Sequence, residues 1–109
     1  MKKQLVEKLN ILGYTLGSVE SLTAGLFAST ICSVPGTSKV FKGALVTYDS
    51  SLKASLCNVS QETINQYGVV SFNTAFEMAS NGQKILGTDI CVSFTGNAGP
   101  SVLEGKPVG

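Results

Sequence analysis

The 109-residue sequence contains no histidine and no arginine, and charged residues make up only 14% of it. Without histidine, this chain alone cannot build a Ser-His-Asp triad or a histidine-ligated metal site. Without arginine, a buried anion must be met by lysine, by backbone N–H groups or by hydroxyls. The net charge of +1 and the dispersed lysines give no basic patch of the kind that binds DNA or RNA, so we predict no nucleic-acid partner.

The cysteines also exclude several classes of protein. Cys32, Cys57 and Cys91 are widely spaced, include no C-x-x-C pair and each follows an apolar residue. A free cysteine in such surroundings behaves as a small hydrophobic side chain. We therefore expect no disulfide framework, no metal site and a reducing, cytoplasmic location. No apolar run approaches the roughly 20 residues that span a bilayer, so we expect no membrane association.

The hydrophobic content of 43% excludes a disordered chain, and the length fits one domain. Apolar residues recur at helical spacing in some segments, and short apolar runs typical of buried strands lie between them. Helices alternating with strands predict an α/β layered domain with a largely parallel sheet. The predicted helices cover residues 5–12, 23–34, 60–68 and 74–87, the last with a Thr74–Glu77 capping box; the predicted strands cover 15–20, 44–48 and 89–94, and Val69–Val70 is a brief extended piece.

Small and hydroxyl-bearing residues follow each predicted strand. They form the segments 20–25 (ESLTAG), 47–50 (TYDS) and 93–100 (SFTGNAGP). In parallel α/β sheets, ligands bind beyond the carboxyl ends of the strands, which makes these segments candidate site loops. The first of these segments runs into a helix whose free N–H groups favour a phosphate or carboxylate, although taken alone it fits an ordinary helix cap better. The third suits a loop around a polar ligand or an ordinary strand exit, and it matches no nucleotide-binding fingerprint.

A hydroxyl nucleophile in a chain without histidine needs a lysine or a carboxylate as its base. Lys53 follows the second strand and could be that base or a solvated surface lysine. Glu20 could act as an acid, a base or an orienting group, or it could accept hydrogen bonds from nearby backbone N–H groups. Tyr48 could donate a hydrogen bond to a ligand or pack over the edge of the sheet.

Taken together, six segments resemble the C-terminal domain of the competence/damage-inducible protein CinA, a family that includes stand-alone bacterial nicotinamide mononucleotide deamidases. The resemblance covers the chain from about Val19 to its last residue. The matching segments, in the order of the family, are 19–25 (VESLTAG), 33–38 (SVPGTS), 43–48 (GALVTY) with Lys53 following, 67–71 (YGVVS), 93–100 (SFTGNAGP) and 106–109 (KPVG).

This resemblance implies a three-layer α/β/α sandwich that hydrolyses the carboxamide of nicotinamide mononucleotide to nicotinate mononucleotide and ammonia, without a metal or organic cofactor. Carried over by motif, Ser21 is the nucleophile and Lys53 is its base. Tyr48 and Thr95 line the site as further catalytic residues that assist proton transfer or orient the substrate. The helix start and the third loop would hold the phosphate or the oxyanion. The substrate-binding residues implied are Glu20, Thr23, Ala24, Gly25, Ser93, Gly96, Asn97, Ala98 and Gly99.

The sequence departs from the family pattern at two places. Many members have two glycines where this chain has Ala24 and Gly25. Family domains also continue past the KPVG segment, through further strands and a final helix that contributes an arginine. We therefore expect residues 1–109 to be a single domain that is incomplete at its C-terminal end, with an exposed sheet edge that favours homo-oligomerisation. The alternative function is a truncated or degenerate domain that binds a nucleotide or a protein partner without catalysis.

Overall fold

The computed structural model describes residues 1–99 and 105–109. Pro100, the last residue of the predicted 93–100 loop, lies outside the described residues. The elements, in chain order, are α1 (Lys2–Leu12), β1 (Leu16–Glu20), α2 (Leu26–Cys32), a 3-10 turn (Thr37–Lys39), β2 (Phe41–Val46), α3 (Ser50–Ser55), α4 (Gln61–Tyr67), α5 (Phe72–Leu86) and β3 (Ile90–Phe94).

Within the described residues, the three strands form one sheet in the order β2-β1-β3, and both pairings are parallel. The central strand β1 ends at Glu20, which lies opposite Val46 of β2 and Phe94 of β3. The predicted α/β class with a parallel sheet is confirmed. Because all three strands run the same way, their carboxyl ends lie at one edge of the sheet, where the three candidate loops begin.

Helices cover both faces of the sheet, which confirms the three-layer arrangement. Side chains alternate along β1, so that Leu16 and Val19 point to opposite faces. Leu16 packs in a cluster with residues of α1 and α2, and Val19 packs in a second cluster with Met78 of α5. The first cluster comprises Val6, Leu9, Leu16, Ile31, Val34 and Val40; the second comprises Val19, Cys57, Val59 and Met78.

Helix α5 lies very close to the sheet because it carries a glycine at the point of contact. A Cβ atom on Gly82 would lie 2.3 Å from Val19 Cγ2 and 3.1 Å from Cys91 Sγ. The first distance is well below van der Waals contact, so any side chain at position 82 would push the helix away from β1.

The prediction of a Thr74–Glu77 capping box is wrong. Helix α5 begins at Phe72, and the Ser71 hydroxyl caps it by accepting a hydrogen bond from Thr74 N at 3.1 Å. The Thr74 hydroxyl instead donates to Gly68 O at 2.7 Å. Glu77 faces α4, where it accepts hydrogen bonds from Ser60 N at 2.8 Å and from the Thr63 hydroxyl. The sequence pattern assigned the Glu77 carboxylate to a cap on α5 itself. In the structure, this carboxylate instead makes a tertiary contact between α5 and α4.

Two further segments differ from the predictions. Strand β2 ends at Val46, two residues earlier than predicted, and residues 50–55 form the unpredicted helix α3. Val69 and Val70 form a bend instead of an extended piece. No helix in the described part of the chain is long and apolar enough to cross a membrane.

Candidate active site

A cavity of about 190 Å³ opens at the carboxyl edge of the sheet, where the loops after all three strands converge. It combines hydroxyl groups, one lysine and the glycine-containing loop that follows β3. The described residues that line it are Ser21, Leu22, Tyr48, Ser50, Lys53, Val69, Val70, Thr95, Gly96, Asn97, Ala98 and Gly99.

A direct hydrogen bond joins Ser21 and Lys53 in the wall of this cavity. Lys53 Nζ lies 2.9 Å from Ser21 Oγ and also donates to the backbone oxygen of Thr47 at 3.0 Å. Both side chains are nearly enclosed, with only 6% of Ser21 and 2% of Lys53 exposed. A hydroxyl held against an amine in a cavity wall is the arrangement that nucleophilic catalysis needs in the absence of histidine.

The backbone around Ser21 is held by both neighbouring strands. Ser21 N donates to Phe94 O at 3.0 Å, which continues the pairing of β1 with β3 beyond the strand end. On the other side, Thr47 N donates to Glu20 O at 2.8 Å. The same Thr47 presents its carbonyl to Lys53. Backbone pairing within the sheet therefore fixes the position of Ser21 and also that of Thr47, whose carbonyl accepts the hydrogen bond from Lys53.

Glu20, one residue before Ser21, points to the other face of the sheet. Its carboxylate is buried and accepts five hydrogen bonds, each between 2.9 and 3.1 Å long. The donors are Ser18 Oγ, Thr23 Oγ1 and the backbone N–H groups of Gly25, Phe27 and Ala28. The side chain of Glu20 therefore occupies the N-terminus of α2, which the sequence offered as an anion site for a ligand.

Two opposing effects act on the pKa of the Glu20 carboxyl. Burial raises this pKa, but hydrogen bonds from Ala28, Thr23, Phe27 and Ser18 together outweigh burial, so that the pKa is lowered from its usual value of 4.5. The carboxylate is thus ionised at neutral pH, and its charge faces the N-terminal dipole of α2, which stabilises it.

The loop after β3 closes the cavity and is itself held by the chain end. Thr95 Oγ1 donates to Val69 O at 2.8 Å, and Asn97 Oδ1 accepts from Gly99 N at 2.9 Å. Asn97 also exchanges two backbone hydrogen bonds with Gly109, at 3.1 and 2.6 Å. A Cβ atom on Gly96 would lie 2.9 Å from Gly109 O, so this close approach requires glycine at position 96.

The structure brings together eight of the thirteen site residues predicted from the sequence. Four of the others do not line the cavity: Thr23, Ala24 and Gly25 precede α2, and Glu20, at the end of β1, directs its side chain to the N-terminus of that helix. Ser93 points toward α5, where its hydroxyl donates to Ala75 O at 2.6 Å. The eight that line the cavity are Ser21, Tyr48, Lys53, Thr95, Gly96, Asn97, Ala98 and Gly99.

Four lining residues were not predicted as site residues: Leu22, Ser50, Val69 and Val70. Val69 and Val70 lie within the 67–71 segment that matches the family, so that match was the signal that could have indicated them. Leu22 lies in the matching segment 19–25, and both Leu22 and Ser50 lie in the candidate loops 20–25 and 47–50, but their side chains carry no specific signal that would have singled them out.

Asp49 lies in the chain between two lining residues, Tyr48 and Ser50. Hydrogen bonds from the side chain and the backbone N–H of Ser51, followed in size by the attraction of Lys53, lower the pKa of Asp49 despite an opposing contribution from desolvation. Among residues 1–99 and 105–109, no three Cys, Asp or Glu side chains cluster closely enough to hold a metal ion.

The sequence of the whole chain, residues 1–109, matches the family model of the CinA C-terminal domain. The chain belongs to the CinA C-terminal domain family. A protein of Limosilactobacillus fermentum named "Putative competence-damage inducible protein" is 52% identical over all 109 residues. A relative of the same name from Levilactobacillus brevis is 58% identical over 95 residues, or 87% of this chain. The CinA-family chain spans about a quarter of these relatives, 26% and 23% of their lengths.

Solved structures of CinA superfamily proteins share the fold. A CinA superfamily protein from Escherichia coli superposes with a TM-score of 0.95 at 30% identity, covering 98% of this chain and 63% of that one. A competence or damage-inducible protein from Enterobacter asburiae superposes with a TM-score of 0.96 at 31% identity, over 99% of this chain and 69% of that one. The arrangement of strands and loops around the cavity is therefore that of the family.

Proposed function

We propose that the cavity is the active site of an amidohydrolase that converts nicotinamide mononucleotide and water to nicotinate mononucleotide and ammonia. The observation that carries this proposal is the buried hydrogen bond between Lys53 Nζ and Ser21 Oγ, 2.9 Å long, in the wall of the cavity. Membership of the CinA family supports the choice of substrate, through the resemblance to deamidases of that family.

The first half of the reaction forms an ester on Ser21. Lys53, as a neutral amine, accepts the hydroxyl proton while Ser21 Oγ forms a bond to the carboxamide carbon. The resulting tetrahedral intermediate carries a negative oxygen. The protonated Lys53 then gives its proton to the amide nitrogen, the C–N bond breaks, and ammonia leaves.

The second half of the reaction releases the acid. Lys53, again neutral, takes a proton from a water molecule while the water oxygen attacks the ester carbon. Collapse of the second tetrahedral intermediate breaks the bond to Ser21 Oγ, which regains the proton from Lys53. The product is released as a carboxylic acid that loses its proton to the ammonia or to water and leaves as a carboxylate, and the enzyme returns to its starting state without any redox step or cofactor.

The loop of residues 96–99 is assigned to the phosphate or the oxyanion. The alternative, the N-terminus of α2, already receives the Glu20 carboxylate on its N–H groups from Gly25, Phe27 and Ala28. The 96–99 loop, in contrast, lines the cavity beside Ser21. Tyr48 and Thr95 line the same cavity and orient the substrate or assist proton transfer.

The test is ammonia release from nicotinamide mononucleotide by the purified 109-residue protein. Ser21→Ala and Lys53→Ala should each lower the rate by at least about 100-fold. Matched controls are Ser29→Ala and Lys84→Ala, which change an exposed serine of α2 and an exposed lysine of α5. A folded parent protein that releases no ammonia would contradict the proposal, and nucleotide binding without turnover would favour the non-catalytic alternative.

A homo-oligomer stays a prediction that the described surface supports. Strands β2 and β3 are both edges of the sheet in the described part of the chain, and an exposed edge strand favours pairing with another chain. Beside β3, the rings of Phe72 and Phe76 stack 6.4 Å apart on the outside of α5, with 80% and 62% of the side chains exposed. Light scattering coupled to size exclusion would give the oligomeric state directly.

A further inference from the structure

Lys53 lies on the short helix α3, most of whose residues are exposed. Helix α3 has six residues, fewer than two turns, and a helix of this length is not stable by itself in water. Most helices are held in a protein by an apolar face that packs on the core. In α3, the buried residue is Lys53 itself. Besides the hydrogen bonds of Lys53 Nζ to Ser21 and Thr47, the backbone position of the lysine depends on what fixes the two ends of this short helix.

The C-terminal end of α3 is tied to the core. Cys57 and Val59 follow the helix and belong to the apolar cluster under α5. Val59 N donates to the backbone oxygen of Lys53 at 2.9 Å, so this end is fixed both by burial and by a backbone hydrogen bond.

The N-terminal end is held by Asp49. This residue has extended backbone angles (φ −73°, ψ 136°), and its carboxylate accepts hydrogen bonds from Ser51 N at 3.1 Å and from the Ser51 hydroxyl. The Asp49 carbonyl also accepts from Leu52 N at 3.0 Å. A carboxylate at this position satisfies an otherwise unpaired N–H group and opposes the positive end of the helix dipole.

Asp49 also directly follows two residues that belong to the site. Thr47, two residues earlier, supplies the carbonyl that Lys53 Nζ contacts, and Tyr48, the preceding residue, lines the cavity. If the first turn of α3 unwound, the distance from Lys53 to Thr47 and to Ser21 would no longer be fixed by the backbone.

We propose that Asp49 is a positioning residue, whose cap on the six-residue helix α3 holds Lys53 within hydrogen-bond distance of Ser21. Asp49 is not among the described residues that line the cavity. This inference rests on the proposed function, because it assigns Asp49 a part in placing the base of that reaction. The interaction that matters is the hydrogen bond to Ser51 N, which an asparagine at position 49 can also make.

The test compares three variants in the ammonia-release assay. Asp49→Ala should lower kcat about tenfold with KM within twofold of the parent, because small misplacements of a catalytic group reduce the rate of the chemical step. Asp49→Asn should keep kcat within threefold of the parent value, since asparagine caps a helix as well as aspartate does. Ser60→Ala is the matched control: Ser60 caps α4 through Thr63 N at 3.1 Å, and no residue of α4 lines the cavity.

The control separates positioning from general loss of stability. Both cap removals should lower the unfolding midpoint to a similar degree, while only Asp49→Ala lowers kcat. A kcat for Asp49→Ala within twofold of the parent, an equal loss in Ser60→Ala, or no rescue by Asp49→Asn would each overturn the proposal.

A second readout does not depend on turnover. In crystal structures of the variants, Lys53 Nζ should have left hydrogen-bond distance of Ser21 Oγ in Asp49→Ala and remain within it in Asp49→Asn. An unmoved lysine in Asp49→Ala would overturn the positioning role even in a protein without deamidase activity. An inactive parent with a displaced lysine in Asp49→Ala would contradict the proposed function and leave the positioning role supported.

Discussion

Two buried polar centres lie one residue apart at the end of β1, and they differ in how their partners are arranged. The Glu20 carboxylate, on the α2 face, accepts five hydrogen bonds from its own chain and lies away from the cavity. The Ser21–Lys53 pair, at the loop edge, joins residues 32 positions apart and lines the cavity. The side chains of Glu20 and Ser21 are both nearly inaccessible to solvent, so burial alone does not distinguish the two centres.

Under the proposed function, the first of these buried polar groups stabilises the fold and the second takes part in the reaction. A carboxylate whose oxygens are both occupied by donors of the same chain keeps its charge at neutral pH and stabilises a helix N-terminus. A hydroxyl and an amine that face a cavity can exchange a proton with each other and reach a ligand. Variants of the two centres should therefore separate stability from activity.

The largest effect is expected from Lys53→Met, which keeps much of the volume of the side chain and removes the amine. Because the proposed reaction needs an acceptor for the Ser21 proton, the rate of ammonia release should fall by about 10²- to 10⁴-fold. Steady-state kinetics on protein that is folded by circular dichroism would measure this. A rate of ammonia release within tenfold of the parent would contradict the role of Lys53 as the proton acceptor, and with it the difference drawn between the two centres.

Glu20→Gln should produce the opposite pattern, with activity per folded molecule retained and stability lowered by about 2–3 kcal/mol at pH 7, since hydrogen bonds to a charged group are lost. The pKa of Glu20 in the folded state lies below its usual value of 4.5, so the ionised carboxylate stabilises the fold above about pH 4.5. This stabilisation is lost as the pH falls through the folded-state pKa.

Urea unfolding of the parent and of Glu20→Gln between pH 7 and pH 3 would measure that difference. The gap between the two proteins should be largest at neutral pH and shrink toward acid. Glu62→Gln, at an exposed position in the first turn of α4, is the control and should change stability by less than about 0.5 kcal/mol. A gap that does not change with pH would contradict the role assigned to the charge of Glu20.

Gly82→Ala disturbs the packing of α5 on β1 at Val19, away from both polar centres. The added Cβ would lie 2.3 Å from Val19 Cγ2, so we expect a loss of about 1–3 kcal/mol in the free energy of unfolding, with activity per folded molecule retained. Gly43→Ala in β2 is the control, because its Cβ would meet Leu86 Cδ2 at an ordinary 3.6 Å. Equal stability changes in the two variants would contradict the close approach of α5 to the sheet.

The smallest effect is expected from Ala24→Gly, in the turn between β1 and α2. Ala24 has a φ of 52°, in the left-handed region that costs a residue with a side chain about 1–2 kcal/mol. Glycine removes this strain but gains freedom in the unfolded chain, so a net stabilisation of about 0.5 kcal/mol should remain. Ala28→Gly, within α2, should change stability with the opposite sign. Destabilisation by Ala24→Gly in a urea titration would contradict this account of the turn.

Much of the fold follows from local signals that do not depend on distant residues. Gly13 and Gly87 end α1 and α5 where the sequence predicted, and Ser60 caps α4. Helix α3 was missed because SSLKAS has no apolar stripe: its buried residue is a lysine, and its cap is an aspartate that also fits a turn. The capping box at Thr74 was wrong because Glu77 bonds to another helix.

The candidate site could be predicted only in part from the sequence, because it depends on tertiary contacts. Parallel strands place the loops after β1, β2 and β3 at one edge, which is why Ser21, Lys53 and Thr95 could be predicted to converge. The role of Glu20 could not be settled in this way. Its partners Gly25, Phe27 and Ala28 are near in sequence, but only the fold shows that their N–H groups turn back to its carboxylate.

The central claim, that Ser21 is the nucleophile of an amidohydrolase, is tested most directly by mass spectrometry of protein quenched in acid during turnover of nicotinamide mononucleotide. The account predicts that the peptide containing Ser21 gains the mass of the acyl group in the parent protein and does not gain it in Ser21→Ala. A Ser21 peptide that stays unmodified throughout steady ammonia release, with Ser21→Ala releasing ammonia at the parental rate, would contradict it.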